Sequence, residues 1–354
     1  MDALFTLPVL SIFVLPTVSS YTTSLNLIFF YMTWSTLVLS HPPLRVELFG
    51  TAAVRLLFYL LPSLVFFLFD ILLPSTAVVI KAHGETGLPT GSKRAGIRLR
   101  EFKVAGWALA NLALSLAVQA AIEEIRTRKL GMPSALRVSM RLPMPWDITK
   151  DLLRGVLVRE ILAYYIHRYI LHSEHSRLAK YHQSWYHSLQ APFPLTAHYD
   201  HPLVYLLTNF FPTYAPAMLF RFHMLTYIVY LIIISIEETF AYSGYSVMPT
   251  SFFLGGIARR MDVHLLSGGE GNFGPWGILD WVSGTGVDDD EDDEEEDTDV
   301  TRVIESLTHR NGAHHGHGHG EEDSLEEKVR KAVEKSTKRR QEKHRLRKKR
   351  GVDY

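Results

Sequence analysis

The sequence predicts an all-α fold, a polytopic helical membrane protein with a histidine-rich helical cap and a disordered, charged C-terminal tail. Three observations predict it. Apolar stretches of the length that crosses a bilayer recur up to residue 245. Charged residues dominate from residue 288 onward. Nine of the 17 histidines fall between His167 and His264, beside the later apolar stretches.

Residues 1–150 are predicted to form an N-terminal membrane region. Its first 20 residues are apolar but lack a basic flank, which favours a membrane anchor over a cleaved signal peptide. Stronger spans follow near 23–40 and 52–73, each close to the length that crosses a hydrocarbon core. The stretch near 104–122 has basic loops on both sides, which favours an interfacial or re-entrant helix over a simple crossing.

Residues 151–286 are predicted to form a second domain that contains a membrane hairpin at 203–238. Two apolar segments, 203–220 and 224–238, are joined by only three residues. Since two crossings return the chain to the side it left, the histidines before the hairpin and His264 after it can share one face. The basic loops indicate that this face is cytosolic. Residues 272–285 are expected to form a glycine-bounded loop and a short helix beneath this face.

Residues 287–354 are predicted to be a disordered tail. Eleven of the twelve positions from Asp288 to Asp299 are acidic, and so much like charge prevents independent folding. A histidine- and glycine-rich run at 314–320 follows, and its glycines give a metal no fixed geometry. A basic segment at 328–350 holds 13 Lys and Arg. No motif in the chain supports nucleic-acid binding.

The composition restricts the possible redox chemistry. The chain has no cysteine, which excludes disulfides, iron–sulfur clusters and thiolate zinc sites. Any metal must therefore be bound by nitrogen or oxygen. No nucleotide-binding glycine loop, haem-binding module or Gly-x-Ser-x-Gly motif is evident. A redox reaction would therefore take its electrons from an external donor, a cytochrome or a reductase.

Three short segments concentrate the histidines: HRYILH (167–172), HQSWYH (182–187) and AHYDHP (197–202). In a regular helix, residues five apart diverge by about 140°. The spacing in the first two segments therefore suits either two ions or one ion bound by a distorted turn. Two equally spaced pairs and a third segment favour a metal site over isolated interfacial histidines.

Together with EETFAYSGY (237–245) and MDVHLLSGGEGNFGPWGILDWVSGT (261–285), these segments resemble the fatty acid hydroxylase/sterol desaturase superfamily over about 155–285. The resemblance implies a multi-pass enzyme of the endoplasmic reticulum membrane with a cytosolic, non-haem di-iron site. Such an enzyme uses dioxygen to hydroxylate or desaturate a sterol, fatty acyl chain or related lipid. The candidate metal ligands are His167, His172, His182, His187, His198, His201 and His264.

The chain departs from the family pattern at five positions where histidines are expected, occupied here by Trp185, Tyr186, Tyr242, Met261 and Leu265. The absence of these expected histidine ligands has three possible consequences. Nitrogen ligands can come from His187, His198 or His175, and oxygen ligands from Glu238, Asp200, Asp262 or Glu270. The third possibility is a site with one metal or none.

Two alternatives to a hydroxylase or desaturase follow from these departures and from the resemblance. One is a catalytically degenerate relative that binds a lipid or a partner protein in the membrane. The other is a related enzyme that cleaves a carbon–carbon bond of a fatty aldehyde. The three hypotheses differ in their products, so an analysis of cellular lipids separates them.

Overall fold

The computed structural model describes residues 21–81, 84–90, 98–173, 176–189, 191–245 and 254–287. The regular secondary structure of these residues is helical, apart from isolated bridges that join Lys81 to Tyr245 and Arg137 to His223. The all-α prediction is confirmed for this part of the chain. The anchor predicted at 1–20 lies outside the described residues, as does the predicted tail from residue 288 onward.

Ten α-helices, some of them widened by π turns, account for most of the described residues. They are α1 (Tyr21–Ser40), α2 (Pro43–Leu72), α3 (Pro74–Ile80), α4 (Leu99–Lys129), α5 (Pro145–Ile166), α6 (Arg177–Trp185), α7 (202–219), α8 (Met224–Ala241), α9 (Leu254–Leu266) and α10 (Ile278–Ser283). Short 3₁₀ turns lie at Gly84–Gly87, Tyr186–Ser188 and Pro194–His198.

Three of these helices are long and apolar enough to cross a membrane, namely α2 with 30 residues, α4 with 31 and α8 with 18. Many large apolar side chains on α2 and α4 are exposed, among them Leu57, Leu61 and Leu109, as lipid-facing residues are. The stretch 104–122, predicted to be interfacial or re-entrant, lies inside the unbroken helix α4. The predicted pair of segments at 203–238 corresponds to α7 and α8.

Two of the helices, α2 and α7, widen into a π turn just before a proline. In α2 the turn is Leu56–Leu60, ahead of Pro62, and in α7 it is Leu206–Phe210, ahead of Pro212. Proline has no N–H to donate to the carbonyl four residues earlier, so the helix adjusts locally. In α7 this adjustment lies at Thr208 and Asn209, which line a cavity of about 110 Å³.

Two charged residues, Arg55 and Asp70, lie near the ends of the span predicted at 52–73. Both are buried. Arg55 forms an ion pair with Glu238 of α8, and Asp70 lies 2.7 Å from Lys81 Nζ. An isolated charge is too costly to bury, so each is retained inside the protein by an opposite charge. The Arg55–Glu238 pair connects α2 to α8, and Lys81 Nζ also donates to the Ser243 carbonyl at 2.7 Å.

Candidate metal centre

Five histidines from three separate segments meet in the second domain. His167 and His172 lie at the end of α5, His182 and His187 on α6 and the turn after it, and His264 on α9. Their ring centroids are 4.6 to 5.5 Å apart in eight pairwise contacts. These five residues are called the histidine cluster. Four of them, all except His187, have candidate ligand atoms within 4.8 Å of one another.

A distorted turn brings the first pair together. Helix α5 ends in a π turn, His167–Leu171, closed by a 3.1 Å hydrogen bond from the His172 N–H to the His167 carbonyl. Because a π turn bonds each residue to the fifth one after it, it places residues five apart on the same side of the helix. The two rings therefore lie 5.0 Å apart instead of diverging.

The second pair is brought together by a change of helix type. Helix α6 stops at Trp185 and continues as the 3₁₀ turn Tyr186–Ser188. This tighter turn redirects His187, so that its ring lies 4.9 Å from that of His182. Both five-residue spacings therefore depend on a departure from regular α-helix.

Hydrogen bonds fix the orientation of three of the five rings. His167 Nδ1 donates to the Phe273 carbonyl at 2.9 Å, and His264 Nδ1 donates to the Gly271 carbonyl. His182 Nδ1 donates to the Asp200 carboxylate at 2.6 Å. Since these oxygens act as acceptors, Nδ1 carries the hydrogen and Nε2 keeps its lone pair. Metal-binding histidines are typically held in this way by a carbonyl or carboxylate.

All five Nε2 atoms are buried and have no hydrogen-bond partner. A buried nitrogen without a partner is costly, and a metal ion would satisfy it. Burial lowers the pKa of His172 well below its usual range, and the electrostatic effect of the neighbouring His167 lowers it further. Burial also lowers the pKa of His264 to about 4. Neutral imidazoles are the form that binds metal, so the cluster fits a transition-metal ion.

A cavity of about 110 Å³ adjoins the cluster at His167 and His182. Part of its wall is apolar, and part carries hydrogen-bonding or charged groups. The apolar part includes Ala163, Leu171, Ala197, Ala241, Ile257, Met261 and Phe273, and the polar part includes Arg159, Thr196, Asp200, Thr208, Asn209, Thr213, Glu237 and Glu238. Arg159 pairs with Glu237 at 2.9 Å, so these two charges compensate each other.

The structure does not bring His198 or His201 into the cluster, although the sequence grouped them with the ligands. His198 is fully buried, and both of its ring nitrogens are engaged, Nδ1 with the Tyr205 hydroxyl at 2.9 Å and Nε2 with Glu238 at 3.2 Å. The His201 ring stacks on Tyr181 at 4.2 Å and caps the start of α7. The third histidine segment therefore supports the fold around the cluster. His175 lies outside the described residues.

The four carboxylates proposed as substitute metal ligands lie in different environments. Glu238 accepts hydrogen bonds from Arg55 and Asn209, and Glu270 is exposed. Asp200 accepts hydrogen bonds from His182 Nδ1 and from the backbone N–H of His201. Asp262 is buried. Asp200 thus orients a cluster histidine through the nitrogen that faces away from the cluster.

Sequence reasoning assigned residues 272–285 a packing role and missed their direct contact with the cluster. The carbonyls of Gly271 and Phe273 accept the hydrogen bonds from His264 and His167. Asp280 holds this loop by accepting from the backbone N–H groups of Phe273 and Gly274 at 2.9 and 2.7 Å. The glycine-rich composition was the available signal, since backbone can approach a site closely where side chains are absent.

Comparison with known protein families gives one match. Residues 152–285 match the model of the family described as Fatty acid hydroxylase. The matched region runs from within α5 to the second residue after α10 and contains the whole histidine cluster and the cavity. No solved structure matches the chain.

Proposed function

We propose that the protein is a membrane-bound oxidoreductase acting on a lipid, because residues 152–285 match the model of the Fatty acid hydroxylase family. The proposed reaction inserts oxygen at, or removes hydrogen from, a C–H bond of a sterol, fatty acyl chain or related lipid. The observation that supports it most is the set of five buried, inward-facing Nε2 atoms beside a cavity.

Non-haem iron is the proposed metal, and dioxygen the co-substrate. When bound, iron would supply the dioxygen chemistry that no side chain can supply. His167, His172, His182, His187 and His264 would hold it, while Asp200 and the carbonyls of residues 271 and 273 keep the rings in place. The resemblance implies a di-iron centre, and a metal count distinguishes two ions from one.

The overall reaction requires electrons from outside the chain. For hydroxylation, a C–H group, dioxygen, two electrons and two protons give an alcohol and water. We propose that a cytochrome or reductase partner supplies the electrons at the cytosolic face of the endoplasmic reticulum membrane. The basic residues at the start of α4 support a cytosolic position for this end of the helix, where Arg100 donates to the Ser188 carbonyl close to the cluster.

The cavity suggests how the lipid is held. Its apolar wall suits a hydrocarbon segment, and its volume leaves room for only part of a lipid. Thr208, Asn209 and Thr213 place hydrogen-bonding groups in the same wall. We expect a substrate with a hydroxyl group near the reacting carbon, because Asn209 Oδ1 is buried without a hydrogen-bond partner and would stay unpaired beside a wholly apolar ligand.

A catalytically degenerate relative is the second candidate, and a specific observation favours it. Four of the five residues at expected histidine positions pack as core or line the cavity: Tyr186, Tyr242, Met261 and Leu265. Such a protein would bind a lipid or a partner in the membrane without changing it.

Expression of the full chain in a heterologous cell, followed by mass spectrometry of total lipids, tests these alternatives. We expect the wild type to produce a lipid that gains one oxygen atom or loses two hydrogen atoms. The His172→Ala variant should abolish this product, while His201→Ala, outside the cluster, should retain it. A chain-shortened product would indicate carbon–carbon cleavage, and an unchanged lipid profile with metal-loaded wild type would support the degenerate relative.

A further inference from the structure

Helix α10 presents an apolar face that points away from the rest of the protein. Trp281 and Val282 follow Ile278 by three and four residues, which places all three on one side of the helix. Their exposed fractions are 82, 66 and 52%, respectively. The opposite side carries Asp280, which is buried and accepts hydrogen bonds from the loop before the helix. A short helix whose largest apolar side chains point outward indicates an interaction site.

Helix α10 packs against the second half of α5. The hydroxyls of Thr285, just after α10, and of Tyr164 on α5 lie 3.2 Å apart. A Cβ atom at Gly274, in the loop before α10, would lie 2.9 Å from Glu160 Oε1 and 3.0 Å from Asp280 Oδ2. This loop is therefore held between the two helices. Helix α10 and its loop cover the side of α5 that carries Glu160 and Tyr164.

The same side of α5 is exposed nearer the start of the helix. Leu153 and Leu157 have exposed fractions of 66 and 60%. Leu157 precedes Glu160 by three residues and Tyr164 by seven, and residues with this spacing share one side of a helix. The outer face of α10 thus continues an apolar stripe that begins on α5.

Helix α5 lies at the depth of a membrane-crossing helix. The Tyr230 hydroxyl of α8 donates to the Gly155 carbonyl at 3.4 Å, and Arg159 pairs with Glu237 of α8 at 2.9 Å. Leu157 lies between these two contacts, and α8 is long and apolar enough to cross a membrane. The stripe on α5 is therefore at the level of the hydrocarbon around α8. Because α10 packs just beyond Arg159, it lies near the end of α8, where a membrane surface is expected.

The side chains at the end of α5 also fit a membrane surface. Tyr165 and Tyr169 are exposed, and their rings stack at 5.9 Å. The Arg168 guanidinium lies 5.1 Å from the Tyr169 ring. Tyrosine and tryptophan are enriched at the level of lipid headgroups, and an arginine can reach the phosphates while its stem stays in apolar surroundings. Trp281 on α10 belongs to the same group of exposed aromatic residues.

We propose that the outer face of α10, together with the exposed stripe of α5, is embedded in the bilayer leaflet nearest the histidine cluster. The partner of this face is a lipid surface, because the face continues the stripe of α5 and is bordered by aromatic and basic side chains. The loop between α9 and α10 separates this surface from the cavity. Phe273 and Pro275 line the cavity, while Asp280 of α10 accepts hydrogen bonds from the Phe273 and Gly274 N–H groups.

Site-directed spin labelling of the full chain in phospholipid nanodiscs tests this proposal, and the chain has no native cysteine to label. A nitroxide is attached at Trp281→Cys. Its collisions with oxygen, which partitions into lipid, are compared with its collisions with a nickel chelate, which stays in water. Leu61→Cys, at an exposed position on α2, is the lipid reference, and Glu270→Cys, at an exposed carboxylate, is the water reference.

The ratio of oxygen to nickel accessibility at Trp281→Cys should be close to that at Leu61→Cys and well above that at Glu270→Cys. A ratio equal to that at Glu270→Cys would place α10 in water and overturn the proposal. Low accessibility to both reagents would show that protein, such as a second copy of the chain, covers this face, and would also overturn it. Either result would leave the proposed function standing, because α2, α4 and α8 can hold the protein in the membrane without α10.

The Trp281→Phe variant gives an independent reading with a conservative change at an exposed position. The fluorescence lost in this variant, relative to wild type, is the emission of Trp281. In nanodiscs made with brominated phospholipid, which quenches tryptophan on contact, this loss should be much smaller than in nanodiscs of ordinary phospholipid. An equal loss in both would contradict the embedding of α10. Size-exclusion chromatography establishes that each variant is folded before it is measured.

Discussion

Asp200 is the residue on which the orientation of His182 depends. Its carboxylate accepts from His182 Nδ1 at 2.6 Å and from the backbone N–H of His201 at 2.6 Å. A carboxylate in this position fixes the tautomer of the ring and makes its other nitrogen a better ligand. Although Asp200 lines the cavity, its role is best described as positioning the ring.

Replacing Asp200 by asparagine should weaken metal binding by about 10- to 100-fold, the usual effect of losing such a supporting group. The amide is neutral and can present its NH₂ group to the ring, which removes the preference for the productive tautomer. Competition with a chelator in nanodiscs measures the affinity. Glu270→Gln, at an exposed carboxylate, is the control and should bind metal as the wild type does. Equal affinity of Asp200→Asn and wild type would contradict the positioning role.

At the scale of elements, the cluster depends on three irregular segments. The π turn after α5 and the 3₁₀ turn after α6 align the two histidine pairs. The glycine-rich loop after α9 supplies the carbonyls that hold His167 and His264. In this loop Gly269 has a φ of +100°, and a Cβ atom there would lie 2.2 Å from His172 Cε1. The loop can approach His172 this closely only because residue 269 is glycine.

Gly269→Ala should therefore displace His172 and reduce the metal affinity of the cluster by at least about tenfold, comparable to the loss of a supporting group. Gly284→Ala is the matched control, because Gly284 also has a positive φ but has no atom within 4 Å of a Cβ position. It should cost about 1 kcal/mol of stability, through backbone strain alone, and leave the metal affinity unchanged. Equal affinities for the two variants would refute the contact argument.

At the scale of the whole molecule, a buried ion pair and several hydrogen bonds join the membrane helices to the domain that carries the cluster. Arg55 of α2 donates to Ser235 at 3.1 Å and pairs with Glu238 of α8. Glu238 in turn contacts His198, which lies in the segment between α6 and α7. Asn111 of α4 donates to the carbonyls of His198 and Asp200 at 2.9 Å each. The position of Asp200 thus depends on contacts from two membrane helices.

Removing Arg55 should destabilise the protein strongly. Arg55→Leu leaves the Glu238 charge buried with less compensation, which typically lowers the free energy of unfolding by about 3–5 kcal/mol. Adding Glu238→Gln should restore part of the loss, since no unpaired charge then remains. Denaturant unfolding in micelles measures these differences. Arg128→Leu, which breaks an exposed pair with Glu124, should cost no more than about 1 kcal/mol. A similar decrease in the free energy of unfolding for Arg55→Leu and Arg128→Leu would contradict the stabilising role of the buried Arg55–Glu238 pair.

Local pattern was sufficient to predict the helical class and the apolar helices, but it grouped His198 and His201 with the five histidines of the cluster. The lengths of the apolar stretches give α2 and α8 directly, because each helix is formed by local backbone hydrogen bonds. The family resemblance pointed to His167, His172, His182, His187 and His264, and the structure brings these five together. Arg55 could not be placed from sequence, because its partner Glu238 lies 183 residues away.

The sequence by itself determined which residue types are available: nitrogen ligands at fixed spacings, no thiolates, and aromatic or aliphatic residues at several expected histidine positions. Only the tertiary structure decided which histidines meet. His198 and His201 carry the same imidazole as the others, but packing directs one towards Glu238 and the other towards Tyr181. The direction of a ring depends on turn type and on distant partners, which the spacing of residues along a chain does not specify.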